Sequence, residues 1–265
     1  MLERNAELVR SHLVEQIEAA EQAREALTQQ APAVIELRRA LAPSPRSRLP
    51  AGLDLHGEVV PAEGEVGGDW WDVIVDPAGR VTLVLADICG HGTSAALLAV
   101  ELKAVLGSGL RSGQSVMSLL EGPAREVFAN RPDMFATAVI LRIDLSAREL
   151  VWANCGHPAP LLIAADGQMR MLHSTGGLIH PSLPGATLGR TGFTPGALLF
   201  AYSDGLSEAR DAHRIPLRID TLADALRGSR SAADACTGAR RLLEQHTGTR
   251  RHRDDVTLLA ARRPR

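Results

Sequence analysis

The stretch Thr137-Ala138-Val139-Ile140-Leu141-Arg142-Ile143-Asp144, followed by residues 145–149 and then by Leu150-Val151-Trp152-Ala153-Asn154, decides the fold class. Both segments are rich in β-branched and large apolar residues, a composition typical of β-strands. Residues 145–149 are too few for the helical crossover that parallel strands require, so the two strands must pair as an antiparallel hairpin. The hairpin predicts an α+β protein rather than a doubly wound parallel sheet.

Further elements flank this hairpin on both sides. Apolar runs bounded by turn residues predict strands over residues 72–75, 81–86, 161–164, 198–202 and 256–261. Helical patterns cover residues 93–107, 115–130 and 232–245, with Ser115 placed to cap its helix. Residues 165–195 are rich in Gly, Pro, Ser and Thr and show no clear periodicity, which predicts a surface flap or loop.

Composition limits the classes of function. The 265 residues suit one large domain with an appendage, and the formal charge of −2 argues against nucleic-acid binding, which needs a clustered basic surface. The cysteines Cys89, Cys155 and Cys236 are odd in number and lack metal-ligand spacing, so neither a disulfide framework nor a zinc site is expected. No apolar signal segment and no run of about 18 apolar residues stands out. We therefore expect a cytoplasmic protein that does not bind membranes.

The N-terminal part has a pattern of its own. Apolar residues recur in alternating steps of four and three over residues 2–27, which predicts a long helix, and a shorter helix follows over residues 34–41. We divide the chain into residues 1–50, a helical linker that serves regulation or dimerisation, and residues 51–265, the main domain. A solvated lead-in helix is the alternative interpretation. Prolines interrupt this part of the chain at Pro32, Pro43, Pro45 and Pro50.

Aspartates stand at the ends of apolar strands. Asp87 follows the run 81–86, and Asp204 follows the run 198–203. Glycines flank Asp69, Asp87 and Asp204 closely in sequence and allow tight turns that leave room for a ligand. Any one of these aspartates, taken alone, would be read as an ordinary turn or cap residue. Their arrangement within motifs that occur together in a fixed order is what indicates a site.

Converging carboxylates would imply a bound cation. Their mutual repulsion raises their pKa values unless positive charge neutralises them. Ligation by oxygen alone selects hard ions such as Mg²⁺ or Mn²⁺. Two such ions about 4 Å apart let a water between them ionise near neutral pH and attack phosphorus in line, so no protein nucleophile is needed.

Several sequence motifs occur together in a fixed order. They are Val66-Gly67-Gly68-Asp69-Trp70-Trp71-Asp72, Ala86-Asp87-Ile88-Cys89-Gly90-His91-Gly92, Ala153-Asn154-Cys155-Gly156-His157-Pro158-Ala159-Pro160-Leu161, Tyr202-Ser203-Asp204-Gly205-Leu206-Ser207-Glu208-Ala209-Arg210 and Asp254-Asp255-Val256-Thr257-Leu258-Leu259. With these motifs the chain resembles the bacterial regulatory branch of the PP2C-type (PPM) metal-dependent phosphatases, the SpoIIE- and RsbU-like proteins, over roughly Leu53 to Arg262. The resemblance implies an αββα sandwich of two mainly antiparallel sheets flanked by helices and preceded by a linker helix.

The resemblance also implies a metal site. Asp87 would bridge two Mn²⁺ or Mg²⁺ ions, with the backbone carbonyl of Ile88 contributing to one of them, and Asp69 would be the acidic ligand of the second. Asp204 and Asp254 would be the remaining carboxylates. Asp87 and Asp204 are the two residues that we expect to be catalytic.

Three neighbouring choices stay open. Asp255 adjoins Asp254, and the strand that starts at Val256 favours Asp254 as the ligand. His91 and His157 lie in Gly-rich turns and could protonate a leaving serine oxygen, but turn residues bonded to backbone are the more common case, so neither is included as catalytic. Trp70 and Trp71 are expected to divide between core and surface, with core as the default.

The resemblance implies a function and partners as well. The chain would hydrolyse phosphoserine or phosphothreonine on a regulatory protein, a phosphorylated STAS-domain antagonist of an anti-sigma factor. The alternatives are an inactive module of the same fold that binds a phosphoprotein and another metal-dependent hydrolase such as a phosphodiesterase. An upstream sensor or activator would act at the N-terminal helix, and a homodimer is possible there. Animal and plant relatives hold phosphate with an upstream arginine, which residues 65–68 lack, and the basic run 250–253 could contribute instead.

Overall fold

The computed structural model describes residues 32–44, 49–60, 67–249 and 254–265. The predicted helix over residues 2–27, most of the segment 61–68 and the basic run 250–253 lie outside the described residues. Residues 32–41 are helical. The strands that follow are β1 (Asp54–Val60), β2 (Trp70–Val75), β3 (Val81–Ile88), β4 (Ala136–Asp144), β5 (Glu149–Cys155), β6 (Leu161–Ile163), β7 (Met169–Met171), β8 (Gly189–Gly192), β9 (Leu198–Tyr202) and β10 (Val256–Arg262). The helices are α1 (Thr93–Arg111), α2 (Val116–Glu121), α3 (Pro123–Glu126), α4 (Asp204–Ser207), α5 (Ile219–Arg227) and α6 (Ala232–Thr247).

The strands form two five-stranded sheets. One has the order β1-β10-β9-β6-β7 and the other the order β2-β3-β4-β5-β8. Neighbouring strands within each sheet pair antiparallel. The hairpin that opened the sequence argument is β4–β5, in which Ile143 pairs with Leu150. The predicted fold class, two antiparallel sheets flanked by helices in an α+β protein, is confirmed.

The main core lies between the two sheets. Alternate residues along each strand face it, for example Leu83 and Leu85 of β3, Leu199 of β9 and Leu259 of β10, each at most 1% exposed. Burial of such side chains contributes roughly 1.5–3 kcal/mol each relative to exposure. This alternation also fixes which face of the sheet each residue of a strand occupies. A shift of the strand register by one residue would move every inward side chain to the outer face.

Helices cover the outer face of each sheet. α1 packs on β2 and β3, and α5 and α6 pack on the sheet that contains β9 and β10. α6 begins where the Ser231 hydroxyl accepts the Asp234 N–H at 3.0 Å and ends at Gly248 in the left-handed conformation (φ 68°). Within the described part of the chain α1 alone has the length and apolar composition of a membrane span, and 56% of that stretch is buried inside the protein, as expected of a core helix.

Some predicted elements differ from those observed. The helix predicted over residues 115–130 is two short helices, α2 and α3, because Pro123 follows Gly122 and cannot donate the hydrogen bond that would continue α2. The Ser115 cap is confirmed, since its hydroxyl accepts the Ser118 N–H at 3.0 Å. The stretch 165–195, predicted as irregular, contains the short strands β7 and β8.

Contacts divide the chain into two compact units, residues 1–40 and residues 41–265. In the second unit, Lys103 of α1 donates to the carbonyl oxygens of Leu41, at 3.1 Å, and Ala42. Asp72 of β2 accepts from the backbone N–H and the hydroxyl of Ser44 at 2.8 and 2.7 Å. These bonds anchor residues 41–44 to the sandwich. The domain boundary at residues 50/51 stays a prediction.

Candidate metal centre

The predicted ligands stand at one end of the sandwich because of the strand register. Asp69 directly precedes β2, and Asp87 is the last residue but one of β3, the strand with which β2 pairs. On the other sheet Asp204 follows β9 by two residues and Asp254 precedes β10 by two, and β9 and β10 are neighbours. Two strand ends and two strand starts thus supply the four carboxylates, and electrostatic interactions among them show that they lie close together.

Asp69 is the most enclosed of the four, at 9% exposure. Its Oδ2 accepts a hydrogen bond from the Thr257 hydroxyl at 2.8 Å. Burial is the main reason that the pKa of Asp69 is well above its ordinary value, and the negative charge of Asp87 adds to the shift. Hydrogen bonds from Ser203 and Thr257 favour the charged form and oppose that shift only in part.

Asp87 lies at the centre of the electrostatic cluster. Burial, followed by repulsion from Asp204 and Asp254, raises the pKa of Asp87 to about 7. The pKa of Asp204 is raised as well, first by burial and then by Asp254 and Glu208. No ion pair among the described residues neutralises any of the four carboxylates. The cluster is therefore a site of concentrated negative charge that a cation would stabilise.

Two glycines make the close approach of these strand ends possible. A Cβ atom on Gly68 would lie 2.6 Å from the Ile88 carbonyl oxygen and 2.9 Å from Oδ1 of Asp87. A Cβ atom on Gly205 would lie 2.2 Å from the backbone oxygen of Asp255. All three distances are shorter than the contacts that real Cβ atoms make, so only glycine fits at either position. The Ile88 carbonyl, a predicted ligand, thus stands beside Asp87 at the same strand end.

Asp254 and Asp255 take different positions. Asp254 is exposed, and its charge raises the pKa of both Asp87 and Asp204. Asp255 is 7% exposed, and its Oδ2 would lie 1.9 Å from a Cβ atom on Gly67, so its side chain is turned toward that backbone. It adds a smaller effect on Asp87. The geometry therefore favours Asp254 as the residue that faces the cluster.

The oxygen atoms gathered in the cluster are the kind of ligand that a hard divalent cation prefers. The groups brought together are carboxylates and a backbone carbonyl, which are the ligands of Mg²⁺ and Mn²⁺. Among the residues that the structure describes, no group of three or more His, Cys, Asp or Glu side chains is close enough together to hold a metal ion. Mg²⁺ commonly keeps several waters and takes only one or two carboxylates, so a partial protein shell is compatible with this ion.

The two histidines and two tryptophans that the sequence singled out differ in exposure. His91 is exposed, whereas His157 is 5% exposed and burial lowers its pKa to about 3. Trp70 and Trp71 are 1% and 3% exposed, so both belong to the interior and neither lines an open surface.

Sequence reasoning missed the polar residues that support the cluster. Ser203 and Thr257 lie on adjacent strands, and the Ser203 hydroxyl accepts the Thr257 N–H at 2.9 Å. Both continue the inward-facing alternation of Leu199 and Leu259. A polar residue at an inward position of an apolar strand was the signal that could have identified them.

Comparisons with known proteins identify the family and the fold of the chain. Residues 77–264 match the family described as stage II sporulation protein E (SpoIIE). The phosphoserine phosphatase RsbP of Bacillus subtilis (strain 168) is 29% identical over 119 residues, which are 43% of this chain and 30% of RsbP. The chain thus aligns with less than a third of that relative's length.

Two solved structures have the same fold. The RsbU and RsbW domains of Rv1364c from Mycobacterium tuberculosis give a TM-score of 0.69 at 30% identity, covering 81% of this chain and 61% of that one. RsbX in complex with magnesium gives a TM-score of 0.63 at 17% identity, covering 82% of this chain and 98% of that one. The family match spans more than half of the sequence and includes Asp87, Asp204 and Asp254. The chain belongs to the SpoIIE family, and its two-sheet sandwich is a PP2C-type phosphatase domain.

Proposed function

We propose that this chain is a metal-dependent protein serine/threonine phosphatase. The observation that carries the proposal is the cluster formed by Asp69, Asp87, Asp204 and Asp254, which is supplied by both sheets and is not neutralised by any ion pair among the described residues. A folded protein keeps such repulsion where it serves a function, and a divalent cation is the simplest source of compensation.

The ligands of the proposal are the four aspartates and the Ile88 carbonyl. A bound Mg²⁺ or Mn²⁺ supplies Lewis-acid chemistry, since it lowers the pKa of water and polarises a phosphoryl oxygen. Two ions are expected, and Asp87 would be among the residues that hold them. The structure of RsbX, a protein with this fold, was solved with magnesium, which supports the choice of ion.

The protein's own part is to hold these groups in place. Thr257 orients Asp69 through the 2.8 Å hydrogen bond, and Ser203 braces Thr257 from the neighbouring strand. Asp87 and Asp204 are the catalytic carboxylates of the proposal, because their charges repel each other and each lies at or just after the end of a strand. Rigid placement of such groups before the substrate binds is what lowers the barrier to phosphoryl transfer.

The proposed substrate is a regulatory protein phosphorylated on serine or threonine, of the STAS-domain class. The name of RsbP, a phosphoserine phosphatase, supports the chemistry. We also propose a cytoplasmic location, with sigma-factor or stress regulation as the process. The free thiols of Cys89, Cys155 and Cys236 fit a reducing compartment.

We propose that residues 1–50 serve regulation or dimerisation. Support comes from residues 41–44, which are bonded to Lys103 of α1 and Asp72 of β2. β2 is preceded by Asp69, and α1 follows the loop after Asp87, so a partner or sensor acting on this segment would reach both elements beside the cluster.

The test is dephosphorylation of phosphorylated STAS proteins from the source organism, with Mn²⁺ and with a chelator. Phosphate release that needs Mn²⁺ is expected. A phosphodiester and a phosphotyrosine peptide serve as control substrates and should turn over far more slowly. Faster hydrolysis of the phosphodiester would replace the proposal with a phosphodiesterase, and tight binding of the phosphoprotein without release would indicate an inactive binding module.

A further inference from the structure

A second set of polar groups lies near Asp87. Asp69 approaches Asp87 from the side of β2, and this second set approaches it from the side of β4. β3 stands between β2 and β4, and Thr137 of β4 is the cross-strand partner of Asp87. Directly opposed residues of an antiparallel pair have Cβ atoms about 4.5–5.5 Å apart on the same face. Thr137 also continues the inward alternation of Val139. Its hydroxyl therefore lies beside the carboxylate cluster.

His157 holds this hydroxyl. Nδ1 of His157 is 2.7 Å from Oγ1 of Thr137. The histidine is fixed in turn by Asn154, a fully buried residue whose Oδ1 accepts the His157 N–H at 2.9 Å and whose Nδ2 donates to the His157 carbonyl at 3.0 Å. A chain of three polar residues, Asn154, His157 and Thr137, thus leads from the interior to the strand position opposite Asp87.

We assign the tautomer of the His157 ring from its surroundings. Burial lowers the pKa of His157 to about 3, so at neutral pH the ring is uncharged and carries one N–H. Nε2 is buried and makes no hydrogen bond among the described residues, although the backbone of Tyr202 is near enough to favour a proton on the ring. A proton on Nε2 leaves Nδ1 as an acceptor, and the Thr137 hydroxyl is then its donor.

This hydrogen-bond direction has a consequence for the cluster. The single proton of the Thr137 hydroxyl is used by His157, so the Thr137 oxygen can only accept a hydrogen bond on its other side. Carboxylates such as Asp87 are acceptors too and cannot supply that proton when ionised. A water molecule can do so.

We propose that His157 is a positioning residue of the metal centre, which orients Thr137 so that the Thr137 oxygen accepts a hydrogen bond from a water held in the carboxylate cluster beside Asp87. The inference rests on the proposed function, because it assigns the water to a metal-binding cluster. Groups behind the direct ligands commonly change metal affinity or activity by 10-fold to 100-fold when removed.

The test is calorimetric measurement of Mn²⁺ affinity in four proteins of full length. Thr137→Val keeps the shape of the side chain and removes the hydroxyl, so we expect a Kd for Mn²⁺ about 10-fold to 100-fold weaker than that of the wild type. Thr137→Ser keeps the hydroxyl and should restore an affinity close to that of the wild type. The matched control is Thr82→Val, a buried threonine at the far end of β3 whose hydroxyl accepts from Arg142 at 3.3 Å, and it should bind Mn²⁺ normally.

A double-mutant cycle tests whether His157 acts through Thr137. His157→Phe fills the space without an acceptor, and His157→Asn offers an acceptor close to the place of Nδ1. His157→Phe combined with Thr137→Val should bind Mn²⁺ no more weakly than the weaker single variant, because both remove the same interaction. His157→Asn should recover part of the affinity.

The outcomes separate the two proposals. Normal Mn²⁺ affinity in Thr137→Val would overturn the positioning role and leave the phosphatase proposal intact. Additive losses in the double variant would overturn the action of His157 through Thr137. A wild-type protein that binds no Mn²⁺ would overturn the proposed function and this inference with it. If His157→Phe does not fold, His157→Asn replaces it in the cycle, and a loss of Mn²⁺ affinity that adds to that of Thr137→Val would overturn the action of His157 through Thr137.

Discussion

At the scale of single residues, the central feature is repulsion among carboxylates that no ion pair within the described part of the chain relieves. Asp69, Asp87 and Asp204 all have raised pKa values, with burial as the first cause and one another as further causes. The hydrogen bonds from Ser203 and Thr257 favour the charged form of Asp69 but offset only part of the upward pKa shift. The metal-free protein therefore gives up stability at the place where the proposed cation binds.

Asp87→Asn tests this balance. The variant removes one charge that Asp204 and Asp254 repel, so we expect the metal-free variant at pH 8 to melt at least about 2–4 °C above the wild type, the shift that 1 kcal/mol gives in a domain of this size. Mn²⁺ should raise the Tm of the wild type and not that of the variant. Thermal denaturation with and without Mn²⁺ checks both points. The control is Asp220→Asn, because the Asp220 side chain is 76% exposed, and it should melt as the wild type does. A lower metal-free Tm in Asp87→Asn than in the wild type would contradict the account.

The pH dependence of stability is a separate test. Native Asp87, with a pKa of about 7, keeps a proton that the unfolded chain releases near 3.8. The native state binds more protons in this window, so Asp87 makes the free energy of unfolding fall as the pH rises from about 4 to about 7, and the loss is complete above that. His157, with a pKa of about 3, acts in the opposite sense below 6.5, so the comparison must be made with Asp87→Asn, in which His157 is unchanged. Urea denaturation of both metal-free proteins at pH 5.5 and pH 8 should show a smaller decrease in the variant, and an identical pH response would refute the assigned repulsion.

At the scale of elements, the cluster depends on the close approach of the start of β2 to the end of β3. Gly68 allows this approach, since a Cβ atom there would lie 2.6 and 2.8 Å from the Ile88 backbone oxygen and nitrogen. Gly68→Ala must therefore separate the two strand ends and move Asp69 away from Asp87. We expect phosphatase activity to fall at least 10-fold and Mn²⁺ affinity to fall with it, because a displacement of about 1 Å is enough for a 100-fold loss.

The control for this substitution is Gly228→Ala. Gly228, just after α5, has an ordinary φ of −86°, and a Cβ atom there would meet nothing within 4 Å. The free energy of unfolding of Gly228→Ala should stay within about 0.5 kcal/mol of that of the wild type. Its phosphatase activity should equal that of the wild type. Steady-state kinetics and Mn²⁺ titration of the two alanine variants check the prediction, and equal activity of both would show that the β2–β3 approach does not matter.

The elements also show what the sequence could predict. The β4–β5 hairpin and the strand ends at Asp87 and Asp204 follow from local patterns, because short turns and apolar runs are properties of neighbouring residues. β1 was missed because its residues Asp54–Val60 include Gly57 and charged residues and show weak alternation. Gly57 is there for a long-range reason, since a Cβ atom would lie 2.6 Å from the ring of Trp71.

The supporting part of the site was harder to predict than the carboxylates. Thr257 meets Asp69 across 188 positions of sequence, and Thr137 meets His157 across 20. Such pairs arise from sheet order and register, which no local pattern encodes. The sequence favoured Asp254 over Asp255 only through the start of the strand at Val256, and the orientation of Asp255 toward Gly67 now favours the same residue.

At the scale of the whole molecule, residues 41–44 belong to the sandwich unit. Asp72, 1% exposed, has its carboxylate bonded to Ser44, and Lys103, 8% exposed, has its ammonium bonded to the carbonyls of Leu41 and Ala42. Removal of residues 41–44 would take these hydrogen bonds away from the buried Asp72 carboxylate and the buried Lys103 ammonium. The loss of hydrogen bonds by a buried polar group typically costs about 1–3 kcal/mol per group.

Two truncations test this anchoring. A chain that starts at Leu41 keeps all of these hydrogen bonds, and one that starts at Leu53 loses them. We expect the shorter chain to be less stable by roughly 2–4 kcal/mol in urea denaturation. Equal stability of the two chains would place the start of the folding unit after residue 52. Unchanged oligomeric state and activity in the shorter chain would also count against a regulatory or dimerisation role for residues 1–50.

The central claim is that the carboxylate end of the sandwich is the metal centre of a phosphatase. The most direct measurement is phosphate release from p-nitrophenyl phosphate by protein stripped with a chelator and then titrated with Mn²⁺. We expect no release without the ion, saturable activity with it, loss of that activity in Asp87→Asn and Asp204→Asn, and full activity in Asp220→Asn. Equal release with and without the chelator, or full activity in Asp87→Asn, would contradict the account.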